Sequence, residues 1–287
     1  RPAQFPALGV VWQRLESESL RRSLGLKREE GGILVVRVAF ESSAWELLNE
    51  GDVLLTIDGE AIGSDGTVTL REGELVDHSH RVASRFVGET VKLGVLRDKQ
   101  RIELPVPLEP PALLVPEDRY DVRPTYFIFG GLLFVPLSRD YLKSWGHEWW
   151  KQGPNELVTI YETQIRTPAR QDAIVLQKVL ADRVNQGYHE YENHVVVSID
   201  GVPVRNMRHL VELTEGGDSR FYTVGLADGQ RIVIDRKRAI TQAQAILDRY
   251  GVNADRSRDL SRPAAKTRKP AATRTPRPAR AAARRRS

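Results

Sequence analysis

Apolar residues along the chain come in short runs of strand length, separated by turn-forming pairs. Ile33-Leu34-Val35-Val36-Arg37-Val38, Val53-Leu54-Leu55-Thr56-Ile57, Ala173–Leu180 and Val195–Ile199 are such runs. Runs of four to eight apolar residues bounded by Gly, Asp or Asn read as buried strands. Two of them continue into the same turn. Val53–Ile57 leads into Asp58-Gly59-Glu60-Ala61-Ile62, and Val195–Ile199 leads into Asp200-Gly201-Val202-Pro203-Val204. Each reads as a strand, an Asp-Gly turn and a short return strand.

The flanks of this motif repeat as well. Upstream of each copy lies a strand-length run, followed by a predicted short helix. These helices are Ser42–Leu48, with serine as N-cap, and Ala181–Tyr188. Downstream, helices are predicted over Val76–Phe86 and Met207–Glu215. Hairpin turns follow at Asp98-Lys99-Gln100 and Asp228-Gly229-Gln230. One element order occurring twice predicts two homologous units. The first copy carries an extra segment near Gly63–Leu75 and the second an insertion near 143–170. Within that insertion, Leu157, Ile160, Tyr161 and Ile165 mark one face of an amphipathic helix over Asn155–Arg166. A C-terminal helix is predicted over Ala239–Tyr250, with Ile246 and Leu247 available to dock.

The expected organisation is a first unit over residues 1–108, a Pro-rich linker over 109–124, a second unit over 125–252 and a basic tail over 253–287. The 287 residues suit two domains of about 100–130 residues each. The fold class is α+β but mostly β: two partly open β-barrel or sandwich units with capping helices. The net charge of +5 conceals an asymmetry. Residues 255–287 hold twelve Lys or Arg and two Asp, so the remainder carries 31 basic against 36 acidic side chains. Apart from Leu260 the tail has no large apolar side chain. Such a composition predicts disorder and either non-specific nucleic-acid or anionic-surface binding through 255–287, or simple solubilisation. No aromatic residue is interleaved there to stack on bases.

Several function classes find no support. The chain has no cysteine, which removes disulfides and thiolate metal sites. His78 with His80, and His189 with His194, lack metal-ligand spacing, so neither a metal site nor a cofactor is expected. No apolar stretch approaches the length of a membrane span. Asp58 and Asp200 are turn residues rather than a catalytic pair. Gly217-Asp218-Ser219-Arg220 reads as a loop turn, and Trp145, Trp149 and Trp150 as anchors of the insertion. No catalytic residue is assigned. The chain opens on Arg1 rather than methionine, so a missing upstream segment is expected, and the compartment stays open.

Each unit begins with a glycine-containing apolar turn entering a strand. In the first this is Leu8-Gly9-Val10-Val11; in the second it is Gly130-Gly131-Leu132-Leu133-Phe134. Together with Gly51-Asp52-Val53-Leu54-Leu55-Thr56-Ile57-Asp58-Gly59, the pattern resembles the PDZ domains of the HtrA/Deg serine proteases. Tyr126–Leu137 is similar to the second PDZ domain of the plant-type members. The resemblance runs over about residues 5–250. It implies a peptide-binding double PDZ module, the substrate-recruiting or regulatory region of a serine endopeptidase. The family's Gly-Asn-Ser-Gly-Gly motif does not occur here, so the protease domain itself is absent from this chain. The implied ligands are peptide C-termini or unfolded segments, added as a strand to a sheet edge beside a helix. The implied first groove is Leu8, Gly9, Val10 and Val11 opposite His78 and Val82. The second is Gly131, Leu132 and Leu133 opposite Met207 and Val211. The alternative is an oligomerisation or scaffolding module, a homo-oligomer built through sheet edges and the insertion, with a polyanion-binding tail.

Overall fold

The computed structural model describes residues 5–118 and 122–261. The first unit contains β1 (Val10–Arg14), α1 (Glu18–Leu24), β2 (Ile33–Val38), β3 (Val53–Ile57), β4 (Glu60–Ala61), β5 (Thr67–Arg71), β6 (Glu74–Asp77), α2 (Ser79–Ala83), β7 (Thr90–Arg97) and β8 (Gln100–Pro107). Its main sheet runs β1-β2-β3-β7-β8, with β4 beside β3. Ile33, Val35, Leu54, Ile57, Val91, Leu93 and Val95 supply the inward side chains of β2, β3 and β7. They meet Val82 from α2 and Val68 from β5. Pro105 and Pro107 fall in β8, where an edge strand tolerates a missing donor.

The second unit contains β9 (Phe127–Phe129), β10 (Leu132–Pro136), α3 (Arg139–Leu142), α4 (Trp149–Gln152), α5 (Asn155–Thr163), β11 (Ile174–Val179), β12 (His194–Ile199), β13 (Val202–Pro203), α6 (Met207–Gly216), β14 (Phe221–Leu226), β15 (Arg231–Asp235) and α7 (Arg236–Arg249). Its sheet runs β15-β14-β12-β11-β10-β9, with β13 beside β12. Leaving β9 aside, this is the strand order of the first unit. The irregularities match too. The register shifts between Val11 and Trp12 in β1 and between Leu133 and Phe134 in β10. It shifts again between Leu54 and Thr56 in β3 and between Val196 and Ser198 in β12. Both sheets are open, and the mostly β fold class holds.

The Asp-Gly turns have the same chemistry in both copies. Asp58 and Asp200 adopt positive φ (49° in each), which short polar side chains tolerate. The Asp58 carboxylate accepts the Lys92 N–H (2.8 Å) and pairs with Arg85. The Asp200 carboxylate accepts the Thr223 N–H (2.8 Å) and pairs with Arg236. The buried Arg236 guanidinium also donates to the carbonyls of Thr214 and Ser219, so the charge is enclosed but satisfied.

Several expected elements take another form. Residues 42–48 make consecutive turns, not a helix. Glu41 and Glu46 both have positive φ, and the Ser43 hydroxyl donates to the Ala7 carbonyl instead of capping. Val76 pairs with Val68 in the β5–β6 hairpin, so the helix shrinks to Ser79–Ala83. Residues 181–188 contain only a 3-10 turn over Arg183–Asn185, closed by a capping box from Asp182. The helices over Met207–Gly216 and Arg236–Arg249 form, and Ile246 and Leu247 dock. Within the insertion α5 forms with Leu157 and Ile160 buried. Trp145 and Trp149 pack against that cluster, whereas Trp150 stays exposed.

The linker and the tail also differ from expectation. Leu114 and Val115 of the linker bury themselves with α3, α5 and the outer face of β10 and β11. The Arg139 guanidinium bonds to Asp118 and Glu117, drawing the Asp118 carboxyl well below its ordinary range. Within the expected Pro-rich linker, residues 114–118 thus form a strap docked on the second unit. Residues 253–261, expected to open the tail, pack against β9. The Ile128 N–H donates to the Asp255 carbonyl (2.7 Å), Ser257 N–H donates to the Tyr126 carbonyl (3.0 Å), and Leu260 joins the core. Side chains add to this hold: Arg256 pairs with Glu215 (2.7 Å) and lies over the Phe127 ring, and the Thr125 hydroxyl donates to Asp259 (2.8 Å). From residue 262 onward the expected tail lies outside the described residues. Among the described residues no helix is long and apolar enough to cross a membrane, and no group of three His, Cys, Asp or Glu could hold a metal ion.

Leu260→Ala should lower the stability of the second unit by about 2 kcal/mol, the cost of an apolar side chain lost from a packed site. Denaturant unfolding checks this; no shift in midpoint would make the 255–260 segment a bystander.

Candidate peptide-binding edges

The glycine turn of the first unit is held from behind by two backbone bonds. The Leu8 carbonyl accepts the Ala44 N–H (3.0 Å) and the Gly9 carbonyl accepts the Ala39 N–H (2.8 Å). A trans peptide directs its N–H opposite to its C=O. The N–H groups of Gly9 and Val10 are therefore aimed away from these partners. For Val10 that direction is the outer side of β1. Gly9 has φ of +76°, and a Cβ there would stand 2.2 Å from the Ser42 Cβ, so only glycine fits. Two adjacent N–H groups turned outward at a glycine bend form a concavity suited to a carboxylate.

Beyond that turn, among the described residues, β1 is terminal in its sheet and pairs with β2 alone. Val10 and Val11 are half-buried. The far end of the edge closes where Leu15 N–H donates to the Ser64 carbonyl (2.8 Å). The other wall is less accessible than expected. His78 and Val82 are 3% and 1% exposed. His78 directs Nδ1 at the Gly66 carbonyl (3.1 Å), and its ring stands edge-on to Trp12 with centroids 5.1 Å apart. Burial holds the imidazole below its ordinary pKa, against the pull of the nearby Asp77 carboxylate. His78 and Val82 thus support the edge from beneath. Trp12, which the sequence reading did not single out, fills the space between β1 and the start of α2.

The second unit repeats the turn and closes the edge. The Leu180 N–H donates to the Gly131 carbonyl (2.7 Å), as Ala39 does to Gly9. Asn185 Nδ2 donates to the Gly130 carbonyl (2.8 Å), in the place Ala44 takes at Leu8. Gly131 has φ of +84°. Here, however, the strand after the glycine has neighbours on both sides. β9 pairs with β10 as Leu132↔Phe129, Leu133↔Ile128 and Phe134↔Phe127, and Gly130-Gly131 is the two-residue hairpin turn. The expected second groove is corrected accordingly. Leu132, Met207 and Val211 are buried in the core with Phe127 and Leu260, Leu133 faces the insertion cluster, and the edge at Gly131 is filled by the chain itself. A signal was present in the sequence, since Phe-Ile-Phe-Gly-Gly-Leu-Leu-Phe fits a tight hairpin.

The family model described as the PDZ domain matches residues 115–259. The chain is 31% identical over 259 residues to Protease Do-like 2, chloroplastic, of Arabidopsis thaliana, covering 90% of this chain and 42% of that protein. It is 32% identical over 248 residues to Protease Do-like 4, mitochondrial, of the same plant, covering 86% and 45%. It spans less than half the length of either relative. Among solved structures, an HtrA-type protease AlgW with a decapeptide aligns at 34% identity over 38% of this chain and 30% of that one, with a TM-score of 0.28. With a glycine turn, a following strand and an Asp-Gly hairpin arranged alike in both units, and a family match over half its length, the chain belongs to the PDZ-domain family and is similar to the Deg/HtrA-type proteases.

Proposed function

We propose that the first unit captures the C-terminal end of a peptide or an extended protein segment, while the second serves as a scaffold, and that the chain is the substrate-recruiting or regulatory part of a Deg/HtrA-type serine endopeptidase. The observation that carries this reading is the asymmetry of the two edges. Among the described residues, the strand after Gly9 is terminal in its sheet, whereas the equivalent strand after Gly131 is flanked by β9. A ligand strand adds to β1 through main-chain bonds, with its carboxylate on the N–H groups of Gly9 and Val10. Gly9, Val10 and Val11 are the contact residues; Leu8, expected among them, is buried in the core with its carbonyl on Ala44, and with His78 and Val82 it keeps them in place.

The scaffolding alternative keeps one supporting feature. On the face of β12, β14 and β15 away from the main core, Val197, Phe221 and Val233 are 42%, 47% and 40% exposed. Apolar residues gathered on one sheet face suit a protein contact. Light scattering of the full chain separates the readings, because assembly through this face predicts a concentration-dependent mass.

Titration calorimetry with peptides ending in an apolar residue should give one peptide per chain, not two. Gly9→Ala should weaken binding at least about tenfold, since the side chain would have to displace Ser42 and adopt a disfavoured φ. Phe129→Ala should leave the affinity unchanged. Two peptides per chain, or binding indifferent to Gly9→Ala, would remove the proposal.

A pH dependence follows from His78. Its folded-state pKa lies below the unfolded value of about 6.5, so below that pH the unfolded chain binds a proton that the folded chain resists. The His78 contribution is fully present above the unfolded pKa and declines as pH falls from there toward the folded pKa. Denaturant unfolding of the first unit at pH 7.5 and 5.5 should show lower stability at 5.5, and His78→Gln should flatten the difference. Equal slopes in the two proteins would contradict it.

A further inference from the structure

Gly9 is held through a short relay that ends in the other unit. Its carbonyl accepts the Ala39 N–H, and Ala39 lies between Arg37 and Glu41 where β2 turns outward. This turn touches the insertion of the second unit at Arg37, Phe40 and Glu41. Phe40 N–H donates to the Arg166 carbonyl (3.0 Å). The Arg166 guanidinium pairs with Glu41 (3.2 Å) and lies over the Phe40 ring, 5.9 Å from its centroid. Arg37 reaches the Thr163 carbonyl (3.4 Å).

Both sides of this contact bear on its role. On the first unit, Glu41 has φ of 59°, a conformation that a non-glycine residue keeps only when its surroundings impose it. Phe40 also packs edge-on against Trp45, with centroids 5.2 Å apart. On the second unit, Thr163 ends α5 and Arg166 directly precedes a tight turn. Thr167 and Arg170 exchange backbone bonds (2.9 and 3.0 Å), and Arg170 donates to the Gln164 side chain (2.6 Å). Two hydrogen bonds thus separate Arg166 from the peptide group that aims the Val10 N–H: Arg166 C=O to Phe40 N–H, then Ala39 N–H to Gly9 C=O.

We propose that the insertion of the second unit, through Thr163 and Arg166, positions the glycine turn of the first unit, so that the second unit sets the affinity of the first for a peptide carboxylate. Arg166 is a positioning residue: it touches the turn that holds Gly9, not the ligand. The inference rests on the reading of Gly9 and Val10 as the carboxylate donors. A turn less firmly held would spend part of its time with those N–H groups misdirected, and apparent affinity falls with the competent fraction. By reciprocity, a peptide carboxylate on Gly9 strengthens the contact between Phe40 and Arg166.

The test uses the full chain, the Arg37→Ala/Arg166→Ala double variant, and a ten-residue peptide ending in Val with a free carboxylate or an amide. Backbone amide exchange is followed by NMR in parallel. The double variant should bind the free-carboxylate peptide about 3- to 10-fold more weakly, the size expected of coupling through a packed contact. Its Ala39 and Phe40 amides should exchange several-fold faster, with the exchange of core amides in β3 and β7 unchanged. In the native chain, adding the peptide should slow exchange at Phe40, and the amidated peptide should slow it less. Equal affinity in the two proteins would overturn the proposal while leaving the peptide reading intact. Failure of the native chain to bind either peptide would remove that reading, and the proposal with it. Unchanged exchange at Ala39 in the double variant would overturn the positioning role by itself.

Discussion

A strand has two rows of amide groups, and a sheet satisfies only the row that faces a neighbour. That constraint organises this molecule. In the first unit, among the described residues, no strand lies on the outer side of β1. In the second, the equivalent row of β10 is taken up by β9, and the outer row of β9 is taken up in turn at Ile128 by Asp255. The hairpin around Gly130-Gly131 and the inward turn of Leu260 both belong to this closure. One open edge and one sealed edge, on otherwise equivalent sheets, give the two halves different capacities without any change of fold.

What the halves share is informative because it is local. Each keeps the bulge in its glycine strand, the Asp at positive φ, and the backbone bond that holds the glycine carbonyl from behind. What they do not share is added around that frame. The insertion covers the outer face of β10 and β11 together with Leu114 and Val115. Its last residues then reach the turn after β2. The segment that buries one face of the second sheet thus also contacts the loop behind Gly9.

The repeat, the Asp-Gly turns, α6, α7 and the two glycine bends were all legible in the sequence, because each depends on residues a few positions apart. The state of the second edge was not read. An apolar run after a glycine looks the same whether it faces a ligand or the chain's own strand. Deciding between them required weighing Phe127–Phe129 as a partner of Leu132–Phe134. The contribution of Asp255–Leu260 was still harder to see, since it pairs with Tyr126 and Ile128 across some 130 residues of sequence and lies beside a strongly basic composition. Short helices failed where side chains had other employment. Ser43 bonds to the carbonyl of Ala7, and Val76 pairs across a hairpin. The sequence offered His78 as a groove wall and gave no sign of its burial, because burial of a lone histidine is a property of the whole core.

The pairing of Tyr126 with Ser257 brings the incoming and outgoing chains of the second unit side by side. Thr125 and Asp259 continue that pairing through their side chains (2.8 Å). Tension applied along the chain would therefore load these bonds one after another, as in opening a zip, and not all at once as in shearing two overlapped strands. From the N-terminal side the strap, with Leu114 and Val115 buried and Asp118 paired to Arg139, would be loaded before this zip.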